Sequence, residues 1–407
     1  MNKLSLWQDS DFIKLWSAQT VSAIGSKVSF LALPLTALLM LQATPVEMGY
    51  LVAAGSLPSL LFGLWVGVWV DRRKRRSLLV LADWGRGLLL LLIPLAAWLG
   101  LLNLPLLCVI IFLTGFFSLL FGTAYHAYLP SLVRREQLVE ANSKLEFSRT
   151  AAEIVGPALA GWLVQVVSAP LAILVDAFSF LLSGLYLGSI HQPEVAPMRG
   201  GEVNHLWREM GAGIRQLFGN AMLRAITLAT ATLSFFNAAL EAIFLLYMTR
   251  NLGLSSALIG LIFSAGSLGF LIGALFPNRM VSRFGLGPTL MAGLGLLTLS
   301  DFILPLARGP QPLIIALLIT AQICFGCGLT FYNIGQVSLR QAVTPEQMLG
   351  RMNGTLDFVV AGLMPLGALV GGLLGERLGL RPTLLLAASG ELLAVVWLLI
   401  SPVRTMR

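Results

Sequence analysis

Long apolar runs alternate with short polar breaks along the whole of this 407-residue chain. Each run approaches or exceeds the roughly 20 residues that a helix needs to cross the hydrocarbon core of a bilayer. Breaks fall where charged residues, Pro, Gly and Asn cluster. They predict spans at 12–41, 46–70, 77–100, 104–129, 144–167 and 169–190 in the first half. In the second half the spans are 223–249, 255–277, 286–307, 311–337, 352–378 and 381–402. A backbone in lipid must satisfy its N–H and C=O groups within each segment, so these runs read as helices. The expected fold is an all-α polytopic membrane protein with twelve transmembrane helices.

The longest polar stretch, 191–222, divides six spans from six. It predicts an N-terminal six-helix bundle at 1–190, a cytoplasmic linker at 191–222 and a C-terminal six-helix bundle at 223–407. Within the linker Trp207, Met210, Ile214, Leu217 and Phe218 recur at helical spacing among Arg208, Glu209 and Arg215, the pattern of an amphipathic helix lying on a membrane face. The halves echo each other. Glu136-Gln137-Leu138, with Asn142 following, precedes the fifth span, and Glu346-Gln347-Met348, with Asn353 following, precedes the eleventh. Such an internal repeat predicts two pseudo-symmetric bundles, a common ground plan for secondary transporters.

Composition sharpens this picture. Only 11% of residues are charged, against about 25% in soluble domains. Of the 27 Lys and Arg, the spans place four outside (Arg250, Arg308, Arg377 and Arg381) and Lys27 within the first span. The remaining 22 fall in cytoplasmic segments or at cytoplasmic helix ends, predicting that both termini are cytoplasmic. The net charge of +8 is then a topology signal and a contact for anionic lipids, with no nucleic-acid partner implied. Three cysteines exclude a disulfide framework. Cys324 and Cys327 form a C-x-x-C inside an apolar run without a neighbouring His or acid, so no metal site is expected. The absence of H-E-x-x-H, G-x-S-x-G and phosphate-loop motifs argues against an enzyme and against ATP-driven transport, and no cofactor is expected.

Between spans two and three stands Gly67-Val-Trp-Val-Asp71-Arg72-Arg73-Lys74-Arg75-Arg76. It resembles the loop signature G-x-L-x-D-R-x-G-R-(K/R) of the major facilitator superfamily, with Lys74 where the family usually has Gly. Gly67 would allow close helix approach, and Asp71 would cap the N-terminus of an adjacent helix. With Arg72 and Arg75 they form a conformational-switch motif. In span five, Ala152 to Gly161 resembles the G-x-x-x-G-P-x-x-G-G motif of the superfamily's antiporters. Gly156, Pro157 and Gly161 match it and are read as a gating element. The Arg expected in span four of many proton-coupled exporters is absent. With Phe12-Ile-Lys-Leu-Trp16 and Asp176-Ala-Phe-Ser-Phe180, the chain resembles the branch of macrolide efflux and enterobactin export proteins.

Ionisable groups inside spans are costly and mark function by default. The architecture implied by the resemblance puts spans one, four, seven and ten around a central cavity, with two, five, eight and eleven beside them. It selects Lys27, Glu153 and Glu241 as transport and proton-coupling groups, with Lys27 paired to Glu153 or Glu241. Tyr125, His126, Asn237, Gln322, Tyr332 and Asn333 would line the solute path. Asp176, Asp301 and Glu391 read as structural, each paired with a polar backbone group, and Asp357 as part of a gate. Asp83 and Arg86 read as an intrahelical pair near the signature loop. Glu146, Arg149 and Glu153 share one helix face and could simply neutralise each other. The expected function is a monomeric inner-membrane exporter of a small amphipathic compound, driven by protons. A uniporter or lipid translocator with structural carboxylates stays open, as does a non-transporting scaffold or sensor.

Overall fold

The computed structural model describes residues 6–192, 194, 215 and 217–406. Twelve helices of 20 residues or more carry the described chain. They are α1 (Ser10–Leu39), α2 (Pro45–Arg72), α3 (Arg75–Trp98), α4 (Leu104–Leu132), α5 (Leu138–Val166) and α6 (Ala169–Gly188). After the linker come α7 (Ala221–Leu246), α8 (Ser256–Leu275), α9 (Leu286–Leu306), α10 (Gln311–Val343), α11 (Glu346–Leu378) and α12 (Leu380–Leu399). A short helix, Pro277–Phe284, precedes α9. Eleven of the helices are long and apolar enough to cross a membrane. Helix α5 falls outside that count because Glu140, Lys144, Glu146, Arg149 and Glu153 lower its hydropathy.

Helix starts follow local chemistry. The Asp9 carboxylate accepts from the N–H groups of Asp11 and Phe12 and opens α1. Asn103 caps α4 through Leu106, and Asn220 caps α7 through Met222 and Leu223. Side-chain oxygens at these positions satisfy donors that have no partner inside the helix.

The radial pattern inverts that of a soluble bundle. On α6, Leu171, Val175, Phe178, Leu182 and Leu185 are exposed at three- and four-residue spacing, while Asp176, Ser179 and Ser183 on the other side are buried. An apolar outer stripe over a partly polar interior suits lipid as the surrounding solvent.

The chain forms two compact units, Met1–Ala43 with Ala54–Val203, and Thr44–Ala53 with Asn204–Arg407. Within the first, α1 packs on α5 and α6, and α3 on α4 and α6. Within the second, α7 packs on α11 and α12, and α9 on α10 and α12. The pairings correspond helix for helix, which is the structural counterpart of the sequence repeat.

In the linker, residues 217–219 are helical and Leu217 packs with Leu223 and Met352. Trp207, Arg208, Glu209, Met210 and Ile214 of the expected amphipathic helix lie outside the described residues.

The signature loop forms the corner between α2 and α3. Among the described residues, no atom lies within 4 Å of where a Cβ at Gly67 would stand. Asp71 is exposed and still belongs to the last turn of α2. At α3 the capping role falls to Glu194, beyond α6. Its carboxylate accepts from the Arg75 N–H at 2.7 Å and the Arg76 N–H at 2.5 Å. The arginines reach carbonyls near the ends of other helices: Arg75 Nη1 donates to Ala127 at 2.9 Å, and Arg76 Nε to Leu187 at 3.0 Å. Cations at the negative end of a helix dipole hold this corner together.

Candidate transport site

Helices α1 and α5 touch where Gly156 faces Lys27. A Cβ at Gly156 would overlap the Cβ of Lys27, so the hydrogen side chain is what lets the two helices close at this point. The Lys27 stem crosses that contact and places Nζ 3.4 Å from Glu153 Oε1, almost one turn before Gly156 on α5. The pair sits at partial exposure, 35% for the Lys27 side chain and 19% for Glu153, which keeps the ammonium accessible rather than sealed in the bundle. Pro157 follows directly. It lacks the N–H that would ordinarily bond to the carbonyl of Glu153, four residues earlier.

Glu153 has a second cationic neighbour. The Arg149 guanidinium forks between it and Glu146, donating from Nε to Glu146 Oε2 at 2.8 Å and from Nη1 to Glu153. Tyr125 of α4 faces Glu146 and stacks on Phe121, with ring centroids 6.1 Å apart, and His126 meets Tyr125 edge-on. Two cations and two carboxylates thus form a neutral, partly open cluster on the first unit. A proton on Glu153, or an anionic group near Lys27, would each break the same ion pair.

The remaining expected residues distribute differently. Glu241 lies on α7 in the second unit and is exposed, and the partner of Lys27 in the first unit is Glu153. Tyr332 is buried and its hydroxyl bonds to Thr230 at 2.7 Å, linking α10 to α7. Gln322 packs against Gly266 of α8, and Asn333 is exposed on α10. Asp357 is exposed on α11 and faces Arg340 of α10. Gly161 is buried on α5.

The structural acids depart from expectation in their partners. Asp301 of α9 and Glu391 of α12, both buried, face each other, with Asn237 of α7 beside Glu391. Two carboxyls meet because α9 and α12 pack directly. Asp83 and Arg86 do pair three residues apart. Arg86, however, lies in the middle of α3 and is buried, not at a helix end. Sequence reading missed both this burial and Glu194, since each depends on contacts with α6 or the chain after it.

Comparison with known proteins decides the family. The model of the transmembrane secretion effector family matches residues 2–407. The chain belongs to that family, within the major facilitator superfamily. Macrolide efflux protein A of Streptococcus pyogenes is 26% identical, with 99% of both chains aligned. The enterobactin exporter of Shigella flexneri is 27% identical, over 84% of this chain and 80% of that one. Among solved structures, a bacterial homologue of the iron transporter ferroportin in an inward-facing state superposes with a TM-score of 0.78. It is 19% identical and covers 97% of this chain and 99% of the other. That last likeness establishes the major facilitator fold.

Proposed function

We propose that this membrane protein is a secondary active exporter of a small amphipathic compound, drug-like or siderophore-like, working by proton antiport with alternating access. The observation that carries the reading is the Lys27–Glu153 pair at the contact of α1 with the antiporter-type motif of α5. Glu153 would take up a proton when the pair opens, and Glu241 on α7 would be the acid of the second bundle. Residues 1–190 and 223–407 would act as the two rocking bundles. The loop carrying Gly67, Asp71, Arg72 and Arg75 would govern switching, while Gly156, Pro157 and Gly161 would shape the gate. The protein would work as a monomer in a bacterial inner membrane, without enzymatic activity. The relatives named for macrolide efflux and enterobactin export support the direction and the substrate class.

A uniporter with structural carboxylates is the second reading, favoured by the grip of Arg149 on both Glu146 and Glu153. Whole-cell accumulation separates the two. Cells expressing the protein are expected to hold less of a macrolide than controls, and a protonophore should abolish the difference. A steady-state level equal to that of controls, reached faster, would favour the uniporter.

Both termini and the loop Asp71–Arg76 are assigned to the cytoplasm. Single cysteines placed in that loop should react in intact cells with permeant maleimides only. Reaction with an impermeant maleimide would invert the assigned topology.

A further inference from the structure

Helix α1 turns a second face toward charge. Lys27 points to α5, whereas Gly25 and Ser29 look onto α6, where Asp176 is 2% exposed. The Asp176 carboxylate accepts from Ser179 Oγ at 3.2 Å and faces Ser29 of α1. A Cβ at Gly25 would stand 2.7 Å from Asp176 Oδ1 and overlap the Ser179 hydroxyl, so glycine makes the room this carboxyl occupies. Beside it on α3, Asp83 is fully buried. Its Oδ1 accepts from Arg86 Nη2, and its Oδ2 accepts from Ser183 at 2.5 Å. The Arg86 guanidinium is clamped between the rings of Phe121 and Phe180, at 4.4 and 4.0 Å. Its Nε is buried and has no hydrogen-bond partner, although Asp176 lies within its electrostatic reach.

The groups facing Asp176 are therefore Asp83 and Arg86 from α3, Ser179 from its own helix and Ser29 from α1, while α4 adds the Phe121 ring to the clamp on Arg86. One cation stands among two carboxyls. With both ionised, the cluster would bury an uncompensated negative charge, which a low-dielectric interior disfavours strongly. A single proton restores neutrality. Asp83 already has Arg86 in direct contact and a serine donor, so the proton belongs on Asp176.

We propose that Asp176 is an exchangeable proton-binding site of this transporter, with Arg86 as its alternating counter-charge. With the proton bound, Arg86 is held by Asp83 alone and its Nε–H stays unused. When the proton leaves to water, the Asp176 carboxylate accepts that Nε–H, and the guanidinium bridges both acids. Asp176 faces α1 through Ser29, so the exchange acts on the helix whose opposite face carries Lys27. The inference rests on the antiport reading and names where in the first unit the proton is held.

The test uses the full-length protein purified in detergent and, in parallel, reconstituted in proteoliposomes. Infrared spectroscopy at neutral pH should show a protonated-carboxyl band that Asp176→Asn removes. Asp83→Asn should remove the same component, because Asp176 then ionises to pair with Arg86. Arg86→Gln should enlarge it, since both acids then need protons. An unchanged band in Asp176→Asn, or one retained in Asp83→Asn, overturns the proposal. In proteoliposomes, macrolide accumulation driven by a pH gradient should be lost in Asp176→Asn, while gradient-free macrolide exchange persists, which also shows that the variant is folded. Gradient-driven accumulation in Asp176→Asn at the wild-type level overturns the site alone. Failure of the wild type to respond to the gradient overturns the antiport reading itself.

Discussion

Lys27→Met is expected to abolish the proposed export while leaving expression, membrane insertion and thermal stability near wild type. An ammonium near the middle of a span costs about 2.5–3.5 kcal/mol even on the permissive insertion scale, so replacing it with an apolar side chain of similar length removes a penalty from folding. What the variant lacks is the partner of Glu153. Arg149 remains to neutralise that carboxylate, so the fold has no new uncompensated charge. The loss should therefore appear in transport, measured as accumulation in intact cells, and not in melting temperature. Wild-type export by Lys27→Met would remove this residue from the mechanism. A collapse in stability would instead make the pair a structural clamp.

Gly156→Ala should be the most damaging single-methyl change in the first unit. The added carbon would overlap the Lys27 Cβ, and backbone on both helices must move to admit it. Overpacking of this kind costs roughly 1–3 kcal/mol. Because the strained contact is also the one that positions Nζ against Glu153, transport should fall with stability. Lys27→Gly combined with Gly156→Ala should recover melting temperature without recovering export. Thermal unfolding of the two variants in detergent checks this. A wild-type melting temperature for Gly156→Ala would show that α1 and α5 do not need the close approach.

The fold was legible because lipid imposes its signature on every span. Runs of apolar residues marked all twelve helices, and the repeat before α5 and α11 has its counterpart in the matching helix pairings. Helix ends were less legible. The expected span at 144–167 belongs to a helix beginning at Leu138, and that at 352–378 to one beginning at Glu346. Hydropathy reports where lipid begins, whereas the hydrogen-bond ladder continues into polar surroundings.

The Lys27–Glu153 pair could be anticipated because lone charges in apolar runs have few ways to be satisfied. The Arg86 cluster could not. Its spacing to Asp83 looks like an ordinary intrahelical pair, and only the packing of α3 on α6 places it beside Asp176. Glu194 escaped for a similar reason, since a lone acid after a span carries no periodic signal. Gly67 matches the loop signature in sequence, and among the described residues no atom lies within 4 Å of where its Cβ would stand.

Proton–drug exchange across a sealed bilayer tests the central claim most directly. Proteoliposomes with an imposed pH gradient, followed by a fluorescent pH probe, should show gradient dissipation when a macrolide is added, and no dissipation in Lys27→Met. Macrolide movement in the wild type with the pH signal unchanged would contradict proton antiport.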